Sequence, residues 1–308
     1  MPLAERIDHS AKIFALGSCF AERISERLAR AKFRVSSNPF GALFNPLSIA
    51  KSIERLATKC EFLARDLHSG GEGYYTFDAH SSLNGNSETE ALERLNEAVS
   101  QGAKALNEAN WVILTFGTAW VYERKGKAVA NCHKQPAKEF ERRRLSVEEI
   151  VKQYTSLFDG ILQGKKIILT VSPVRHLGDG LQENSVSKAI LRLAVEQLCE
   201  QYENVHYFPS YEIMMDDLRD YRYYDEDLAH PSKVAVDYIW EQFIRSAVSE
   251  EAQKLLPMVE QIVTAAKHRP FNPTSEEHRA FCRKMLAKAD AISGIDLERE
   301  KSFFEEYL

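Results

Sequence analysis

The chain has 308 residues, 44% of them hydrophobic and 28% charged, a balance typical of globular proteins that excludes disordered and coiled-coil classes. Its 40 Lys and Arg residues against 45 Asp and Glu give a net charge of -5, which supplies no general attraction for nucleic acid or an anionic membrane. No window approaches the ~20 consecutive apolar residues that a membrane-spanning helix needs. We therefore expect a soluble protein that binds neither nucleic acid nor membrane.

The cysteines and the start of the chain bear on its compartment. Five cysteines form an odd, widely spaced set without a CxxC pair, which argues against a disulfide framework and against a zinc knuckle. The first ten residues lack the charged start, apolar core and cleavage site of a signal peptide. We therefore predict a cytoplasmic protein with no bound metal. The cysteines are Cys19, Cys60, Cys132, Cys199 and Cys282.

Short apolar runs predict buried strands, and amphipathic segments between them predict helices. The apolar runs lie at 12–16, 111–116, 166–171 and 205–208. Apolar residues at steps of three and four predict helices at 20–32, 46–56, 88–109, 146–162 and 184–200. This alternation predicts a parallel sheet with helices on both faces. In such a sheet reactive groups gather at the carboxyl ends of the strands, so chemistry is expected just after each apolar run.

Three segments depart from the alternation. Residues 63–86, with Gly-Gly-Glu-Gly and Asn-Gly sequences, predict an irregular or hairpin-bearing insertion. The run Glu-Arg-Arg-Arg at 141–144 predicts a solvated approach to a helix, with an anion site as the alternative. From Pro231 to the end the pattern is helical, interrupted only at 268–273. We therefore predict an α/β domain over residues 1–246 and a helical extension over 247–308.

The first predicted strand runs into a helix through a turn that holds two nucleophiles. Ser18 and Cys19 follow Gly17, which lets the backbone turn tightly. Helix N–H groups and the positive end of the helix dipole lower a thiol pKa and hold a developing oxyanion. The alternative is structural, with Ser18 capping the helix and Cys19 a small buried residue.

A possible acid–base pair follows the last predicted strand. Asp227 and His230 are three residues apart, and Pro231 follows them where a helix is predicted to open. In this arrangement His230 accepts the proton of a hydroxyl or thiol near Gly17, and Asp227 orients the imidazole. The alternative is that Asp227 caps a turn and His230 lies on the surface.

Together these features resemble a known family. A nucleophile turn after the first strand and a late Asp-x-x-His-Pro are similar to the SGNH/GDSL hydrolase superfamily, and 17–21 spell the Gly-Ser-Cys-Phe-Ala signature of the GSCFA family. The similarity covers most of residues 12–245. Further matching segments are Asn38-Pro39-Phe40-Gly41, Asn45-Pro46, Thr115-Phe116-Gly117-Thr118-Ala119, Asn131-Cys132-His133-Lys134, Ser172-Pro173-Val174-Arg175 and Ser187-Lys188-Ala189.

The resemblance implies a fold and a chemistry. The fold is a flavodoxin-like three-layer α/β/α sandwich, and the superfamily chemistry is acyl-ester cleavage or transfer. In the register of the superfamily's Gly-Asp-Ser turn, the attacking serine corresponds to Cys19 and the aspartate to Ser18. We favour Cys19 slightly as the nucleophile and retain Ser18.

The resemblance also implies an oxyanion hole made by the nucleophile's N–H, a glycine after the second strand and an asparagine after the third. Gly41 is the candidate glycine. After the third strand the sequence reads Gly117-Thr118-Ala119, so the asparagine is absent and either Asn38 or Asn131 replaces it or the hole is weaker. The missing asparagine suggests the alternative of a binding protein that keeps the cleft without turnover.

Two further residues are candidates for the same cleft. His133 follows a strand-like stretch and is predicted to act as a second acid–base group or a substrate contact. Arg175 follows the strand at 166–171 and is predicted either to clamp a substrate carboxylate or phosphate or to form a structural ion pair. The nearby tyrosines at 221, 223 and 224 predict a sugar-stacking lip or a half-buried strand.

The function expected from the sequence is that of a cofactor-independent hydrolase or acyltransferase. Its substrate is an acyl ester, most plausibly an acetyl ester of a carbohydrate or another hydroxylated small molecule. The alternative is a ligand-binding protein that keeps the cleft without turnover. The helical extension either packs on its own domain or mediates a homo-oligomer. No Gly-rich phosphate loop indicates a nucleotide cofactor.

Overall fold

A computed structural model describes residues 2–71, 73–268 and 270–308. The four apolar runs of the sequence form strands with nearly the predicted bounds. Shorter strands lie between them. In chain order the strands are β1 (Lys12–Gly17), β2 (Arg34–Ser37), β3 (His68–Gly70), β4 (Gly73–Tyr75), β5 (Trp111–Phe116), β6 (Trp120–Arg124), β7 (Lys127–Val129), β8 (Glu141–Arg144), β9 (Lys166–Val171) and β10 (Val205–Tyr207).

The predicted helices are also present, with their ends shifted by a few residues. Side-chain caps explain several of these ends: Asn45, Ser87 and Ser146 each accept a hydrogen bond from a backbone N–H of the first turn. The helices are α1 (Cys19–Arg30), α2 (Pro46–Thr58), α3 (Glu88–Glu108), α4 (Val147–Asp159), α5 (Leu181–Gln201), the single turn α6 (Ser210–Glu212), α7 (Lys233–Ala247), α8 (Glu250–Ala265), α9 (Glu276–Asp290) and α10 (Glu298–Glu305).

The central sheet has five strands in the order β2-β1-β5-β9-β10. Strands β1, β5, β9 and β10 pair in parallel, with Ala15 opposite Ile113 and Ile113 opposite Ile168. This is the flavodoxin-like order, in which the chain first builds outward from β1 to one side and then to the other. The carboxyl ends of β1 and β5 therefore flank the crevice where such sheets bind ligands.

The sheet is buried on both faces, which identifies a three-layer α/β/α sandwich. Alternate strand residues such as Leu16 and Leu114 belong to one apolar cluster with residues of α2, α3, α4 and α5. Residues between them, such as Ala15 and Ile113, face the other side and are also buried. Strands buried on both faces are recognisable as continuous apolar runs, which is why the sequence pattern located them.

The predicted insertion forms a hairpin. Strands β3 and β4 pair antiparallel, and Tyr74 forms a further bridge with Gly85. Tyr75, Phe77 and Val129 form a small buried cluster of their own beside it. The insertion therefore has a local core separate from the main apolar cluster.

The interpretation of residues 141–144 as an approach to a helix is wrong, because they form strand β8 at the edge of a second, antiparallel sheet with the order β7-β6-β8. The guanidinium of Arg142 lies 4.1 Å from the centre of the Trp120 ring. Arg143 pairs with Glu123 at 2.9 Å and with Glu149 at 2.7 Å. The run is mostly exposed, as the solvated interpretation predicts, and aromatic stacking and ion pairs hold its arginines on the strand.

The chain divides into two compact units, one made of 13–25 and 36–239 and the other of 1–12, 26–35 and 240–308. The second unit contains α8, α9 and α10, whose apolar faces share a core that includes Ile262, Met285 and Phe304. The helical pattern predicted for this end of the chain is confirmed. Among the described residues, no helix combines the length and apolar character needed to cross a membrane.

Candidate active site

The turn after β1 requires a glycine at position 17. Gly17 has a φ of 143°, and a Cβ there would lie 2.2 Å from the backbone oxygen of Thr115. The Gly17 N–H donates to Oδ1 of Asn38 at 2.9 Å, and its carbonyl accepts from the N–H of Leu43 at 2.9 Å. The close approach to β5 and these two hydrogen bonds hold the start of α1 at the crevice.

Ser18 acts as the cap of α1. Its side chain is buried, with 1% of the residue exposed, and its Oγ accepts a hydrogen bond from the N–H of Phe20 at 3.3 Å. Its own N–H donates to the Thr115 carbonyl at 3.3 Å. Ser18 thus makes the capping bond of the structural alternative, and Cys19, the first residue of α1, carries the more exposed of the two candidate nucleophiles.

The expectation of a lowered thiol pKa at Cys19 is wrong. Burial raises the pKa of Cys19 above its ordinary value, and the negative charge of Glu22 raises it further. The charge of Arg23 and the backbone N–H groups of Cys19 and Phe20 act in the opposite direction, as expected at a helix start, but their effect is smaller. Cys19 is therefore a protonated thiol at neutral pH and needs a base before it can attack.

Asp227 and His230 form the predicted pair. Nδ1 of His230 lies 2.5 Å from Oδ2 of Asp227, and Oδ1 of Asp227 accepts from the backbone N–H groups of Ala229 and His230, each at 2.9 Å. Hydrogen bonds from the His230 backbone, the His230 ring and the Ala229 backbone hold the pKa of Asp227 well below its usual range. An ionised Asp227 fixes the proton of His230 on Nδ1 and leaves Nε2 as the acceptor.

Contacts from two other elements hold this loop in place. Arg23, one helical turn after Cys19, forms an ion pair with Asp225 at 3.6 Å. The N–H of Arg175, in the loop after β9, donates to the Ala229 carbonyl at 3.0 Å. Within the described chain the His230 ring makes no hydrogen bond to Ser18 or Cys19. The structure therefore joins the loop of His230 to the helix of Cys19 through Arg23 and Asp225, and not through a hydrogen bond between the two candidate side chains.

Two buried basic residues that the sequence analysis did not assign lie in the same neighbourhood. Lys188 is 1% exposed, and its Nζ donates to the carbonyls of Gly117 at 2.6 Å and Ser172 at 2.7 Å. Burial, the charge of Lys188 and the charge of His230 lower the pKa of His176 to about 4. A single sequence contains no signal for either role, because each depends on what surrounds the side chain after folding.

Nε2 of His176 is buried beside Gly117 without a hydrogen bond of normal geometry among the described residues. The Gly117 backbone raises the pKa of His176 slightly, against the larger effect of burial. Nε2 of His176 and the Gly117 backbone are therefore close to each other but not aligned for a hydrogen bond. His176 is therefore a neutral imidazole at neutral pH with an unused polar atom.

Two backbone N–H groups at the predicted oxyanion hole, those of Gly41 and Gly117, are engaged in the fold. The Gly41 N–H donates to the Asn38 carbonyl at 2.8 Å, and the Gly117 N–H donates to the Phe44 carbonyl at 2.8 Å. The side chain of Asn38 accepts from Gly17 and donates to Glu22 at 3.2 Å. In this arrangement the N–H groups of Gly41 and Gly117 are already bonded, and the side-chain amide of Asn38 is held by Gly17 and Glu22.

His133 and Asn131, predicted to line the crevice, make their described contacts with the insertion. His133 is 4% exposed, and its Nε2 contacts the carbonyls of Thr76 and Ala79 at 2.9 and 3.2 Å. Its ring stacks on Tyr75. Oδ1 of Asn131 accepts the N–H of His133 at 2.8 Å. Both residues therefore stabilise the insertion beside its hairpin.

The Arg175 side chain packs on tyrosine rings beside the loop of His230, which neither the substrate clamp nor the structural ion pair predicted. Its guanidinium is 4.0 Å from the centre of the Tyr224 ring and 5.4 Å from that of Tyr221. No carboxylate within the described ranges forms an ion pair with it, so the structural ion pair is excluded there. Residues 221–223 form a short 3-10 helix instead of a strand, and the Tyr221 ring is exposed.

Comparison with known proteins agrees with the sequence signature. Among the described residues no group of three His, Cys, Asp or Glu side chains is arranged to hold a metal ion. No curated protein matches the chain. The profile of the GSCFA domain protein C-terminal domain matches residues 259–308. The profile of the GSCFA family matches residues 12–243, which include the turn at Cys19 and the pair Asp227–His230, and the chain therefore belongs to the GSCFA family.

Proposed function

We propose that this protein is a cofactor-independent hydrolase or acyltransferase of the SGNH type. It acts on an acyl ester, in the first instance an acetyl ester of a carbohydrate or another hydroxylated small molecule. The observation that carries the proposal is the hydrogen-bonded pair Asp227–His230, in a loop that Arg23 ties to the helix carrying Cys19. A partly exposed thiol, an oriented imidazole and an ionised carboxylate are the groups that covalent acyl transfer requires.

The proposed reaction has two steps. In the first, Nε2 of His230 takes the proton of the Cys19 thiol as sulfur attacks the acyl carbonyl, and the protonated imidazole gives that proton to the departing alcohol. The ester C–O bond breaks and a thioester on Cys19 forms. In the second step His230 takes a proton from water or an acceptor alcohol, which attacks the thioester and releases the thiol. Asp227 stabilises the imidazolium in both steps.

Features of the chain also support the carbohydrate part of the proposal. The ring of Tyr221 is exposed, and the guanidinium of Arg175 lies 5.4 Å from its centre. The backbone N–H of Arg175 donates to the Ala229 carbonyl, so Arg175 connects this ring to the loop of His230. An aromatic face at the edge of a polar cleft is a surface on which a sugar ring packs. The same surface would also accept other flat or apolar acceptors, so sugar esters are the first class to test.

A second function has its own supporting observations. The backbone donors at Gly41 and Gly117 are occupied, and the pKa of Cys19 is raised. A site with these properties is suited to hold an ester without cleaving it. The rival proposal is therefore a ligand-binding protein that has kept the crevice and lost turnover.

Turnover of aryl acetates and thioacetates by the purified full chain tests the proposal. We expect cleavage by the parent protein, a loss of about a hundredfold or more in His230→Ala and Cys19→Ala, and a smaller loss in Asp227→Asn. His268→Ala, which removes an exposed imidazole from the helical extension, is the matched control and keeps parental activity. Equal rates in the parent protein and His230→Ala would remove the mechanism. Stabilisation by acetylated sugars that are recovered intact would favour the rival.

A further inference from the structure

Lys188 is a buried cation whose position calls for an explanation. It lies on α5 with 1% of its surface exposed, and no carboxylate of the described residues forms an ion pair with it. Burying an unpaired charge is costly unless hydrogen bonds or a functional role compensate. Its Nζ donates to two carbonyls, those of Gly117 and Ser172. These bonds satisfy donors of the ammonium but leave its positive charge without a counter-ion.

The two carbonyls place this charge at the carboxyl-terminal edge of the central sheet. Gly117 follows β5 and Ser172 follows β9, so Nζ lies where the carboxyl ends of two neighbouring central strands meet. Cys19 follows the adjacent strand β1, where Gly17 pairs with Thr115 and the N–H of Ser18 donates to the Thr115 carbonyl at 3.3 Å. The other titratable groups near Nζ are His176, whose own pKa it lowers, and Tyr211, whose ring centre is 5.7 Å from Nζ.

The protonation states of Cys19 and Lys188 are linked. A thiolate at Cys19 would raise the pKa of Lys188, but burial raises the pKa of Cys19 above its ordinary value and lowers that of Lys188 to about 7. Because the lysine loses its proton at a lower pH than the thiol does, the two groups are not charged together over most of the pH range. We therefore infer a shared neighbourhood and no resting ion pair between them.

We propose that the ammonium of Lys188 supplies positive charge at this edge of the sheet and stabilises negative charge developing beside Cys19. Its use in catalysis rests on the proposed function, whereas the test below does not require that function. The N–H groups of Gly41 and Gly117 are engaged in the fold, and a fixed, buried cation stabilises an oxyanion in addition to the N–H groups at the start of α1. The positive charge also favours binding of anionic ligands near Cys19.

The charge responds to pH. Burial lowers the pKa of Lys188 to about 7, so the cation is present below that pH and is lost above it. His176, with a pKa lowered to about 4, is neutral throughout this range and does not contribute a change. The stabilisation of negative charge beside Cys19 is therefore expected to weaken as the pH rises through about 7.

A purely structural role for Lys188 is the competing explanation. Its neighbour Ser187 already holds the same loop, since Oγ of Ser187 accepts the N–H of Ala119 at 2.7 Å and lies 3.1 Å from Oγ1 of Thr118. A structural lysine would affect the stability of the fold without discriminating between charged and neutral ligands. The test must therefore compare an anionic with a neutral probe at the same atom.

Alkylation of Cys19 by iodoacetate and by iodoacetamide provides that comparison, because the thiolate fraction cancels in the ratio of the two rates. The exposed Cys60 serves as an internal reference in the same molecule. At each cysteine, the quantity measured is the rate of alkylation by iodoacetate divided by the rate by iodoacetamide, and the value at Cys19 is divided by the value at Cys60. For the full-length parent protein, we expect this normalised ratio to be roughly threefold higher at a pH of about 6 than at about 8.5. In Lys188→Met this pH dependence disappears.

His230→Gln removes the imidazole of the proposed base while Lys188 stays in place, and the pH dependence persists in that variant. A ratio that does not change with pH in the parent protein overturns the inference, and so does an unchanged pH dependence in Lys188→Met. The measurement on the parent protein decides the question even if Lys188→Met fails to fold. Because alkylation requires no ester turnover, a protein that shows the ratio but cleaves no ester would refute the proposed function and leave the charge of Lys188 established.

Discussion

Arg23 and Asp225 form an ion pair of 3.6 Å that joins the helix beginning at Cys19 to the loop containing His230. More than two hundred residues of sequence separate the two partners. The pair is partly exposed, with 38% and 44% of the side chains accessible, so its effect on global stability is small. In the proposed mechanism its importance lies in the geometry of the site, because it links the helix that carries the Cys19 thiol to the loop that carries the proposed base.

Breaking this pair is expected to affect activity more than stability. We predict that Arg23→Ala changes the free energy of unfolding by less than ~1 kcal/mol but lowers ester turnover about three- to tenfold, because the loop of His230 loses a contact that orients it. Urea denaturation and steady-state kinetics measure the two effects. The exchange Arg23→Asp with Asp225→Arg restores part of the activity if the pairing itself matters. Failure of that double variant to exceed both single variants would contradict the prediction.

Gly17 is expected to be intolerant of substitution. A Cβ at this position meets the Thr115 carbonyl at 2.2 Å, and the φ of 143° is itself strained for any other residue. We predict that Gly17→Ala destabilises the protein by ~3 kcal/mol, measured by chemical denaturation. Gly178→Ala is the matched control, since nothing lies within 4 Å of a Cβ there. A similar small effect of both substitutions would show that the turn can relax.

The buried imidazole of His176 predicts a loss of stability in mild acid. Its pKa falls from 6.5 in the unfolded chain to about 4 in the folded protein, so folding favours the neutral form. Its contribution to stability is complete above pH 6.5 and is lost as the pH falls from 6.5 through about 4. His176→Gln should flatten the dependence of the unfolding free energy on pH in this interval. An unchanged slope would indicate that His176 is accessible to protons in the folded state.

Burial of the thiols predicts their order of alkylation. Iodoacetamide should modify the exposed Cys60 first and Cys19 more slowly, because burial and Glu22 raise the pKa of Cys19. Cys199, whose pKa burial raises to about 11, and the fully buried Cys282 should react last. Mass spectrometry of a time course measures the order. Modification of Cys19 ahead of Cys60 would mean that a neighbouring base already activates the thiol.

The strands of the central sheet were predictable because their burial is visible in the sequence itself. Strands β5 and β9 are buried on both faces and therefore read as unbroken apolar runs, and both have the predicted bounds. Strand β8 was missed because its arginines are stabilised by Trp120 and by distant carboxylates, which a local pattern cannot show. The edge strand β2, half-buried and polar, also lacks an apolar signal.

The candidate site was predictable in part. The pair Asp227–His230 is close in sequence, so its geometry follows from a short loop, and the motif identified it. The roles of His133 and Arg175 were not predictable, because each depends on the ring that the side chain contacts. The same holds for the raised pKa of Cys19, where burial outweighs the helix terminus.

The sequence by itself determined the α/β class, the family signature and the residues able to perform acyl chemistry, since periodicity and short motifs are local properties of a chain. Only the tertiary structure decided which of those residues share a crevice, which donors are already bonded and where the buried charge of Lys188 lies. The physical reason is that solvation and hydrogen-bond partners depend on surroundings assembled from residues far apart in the chain.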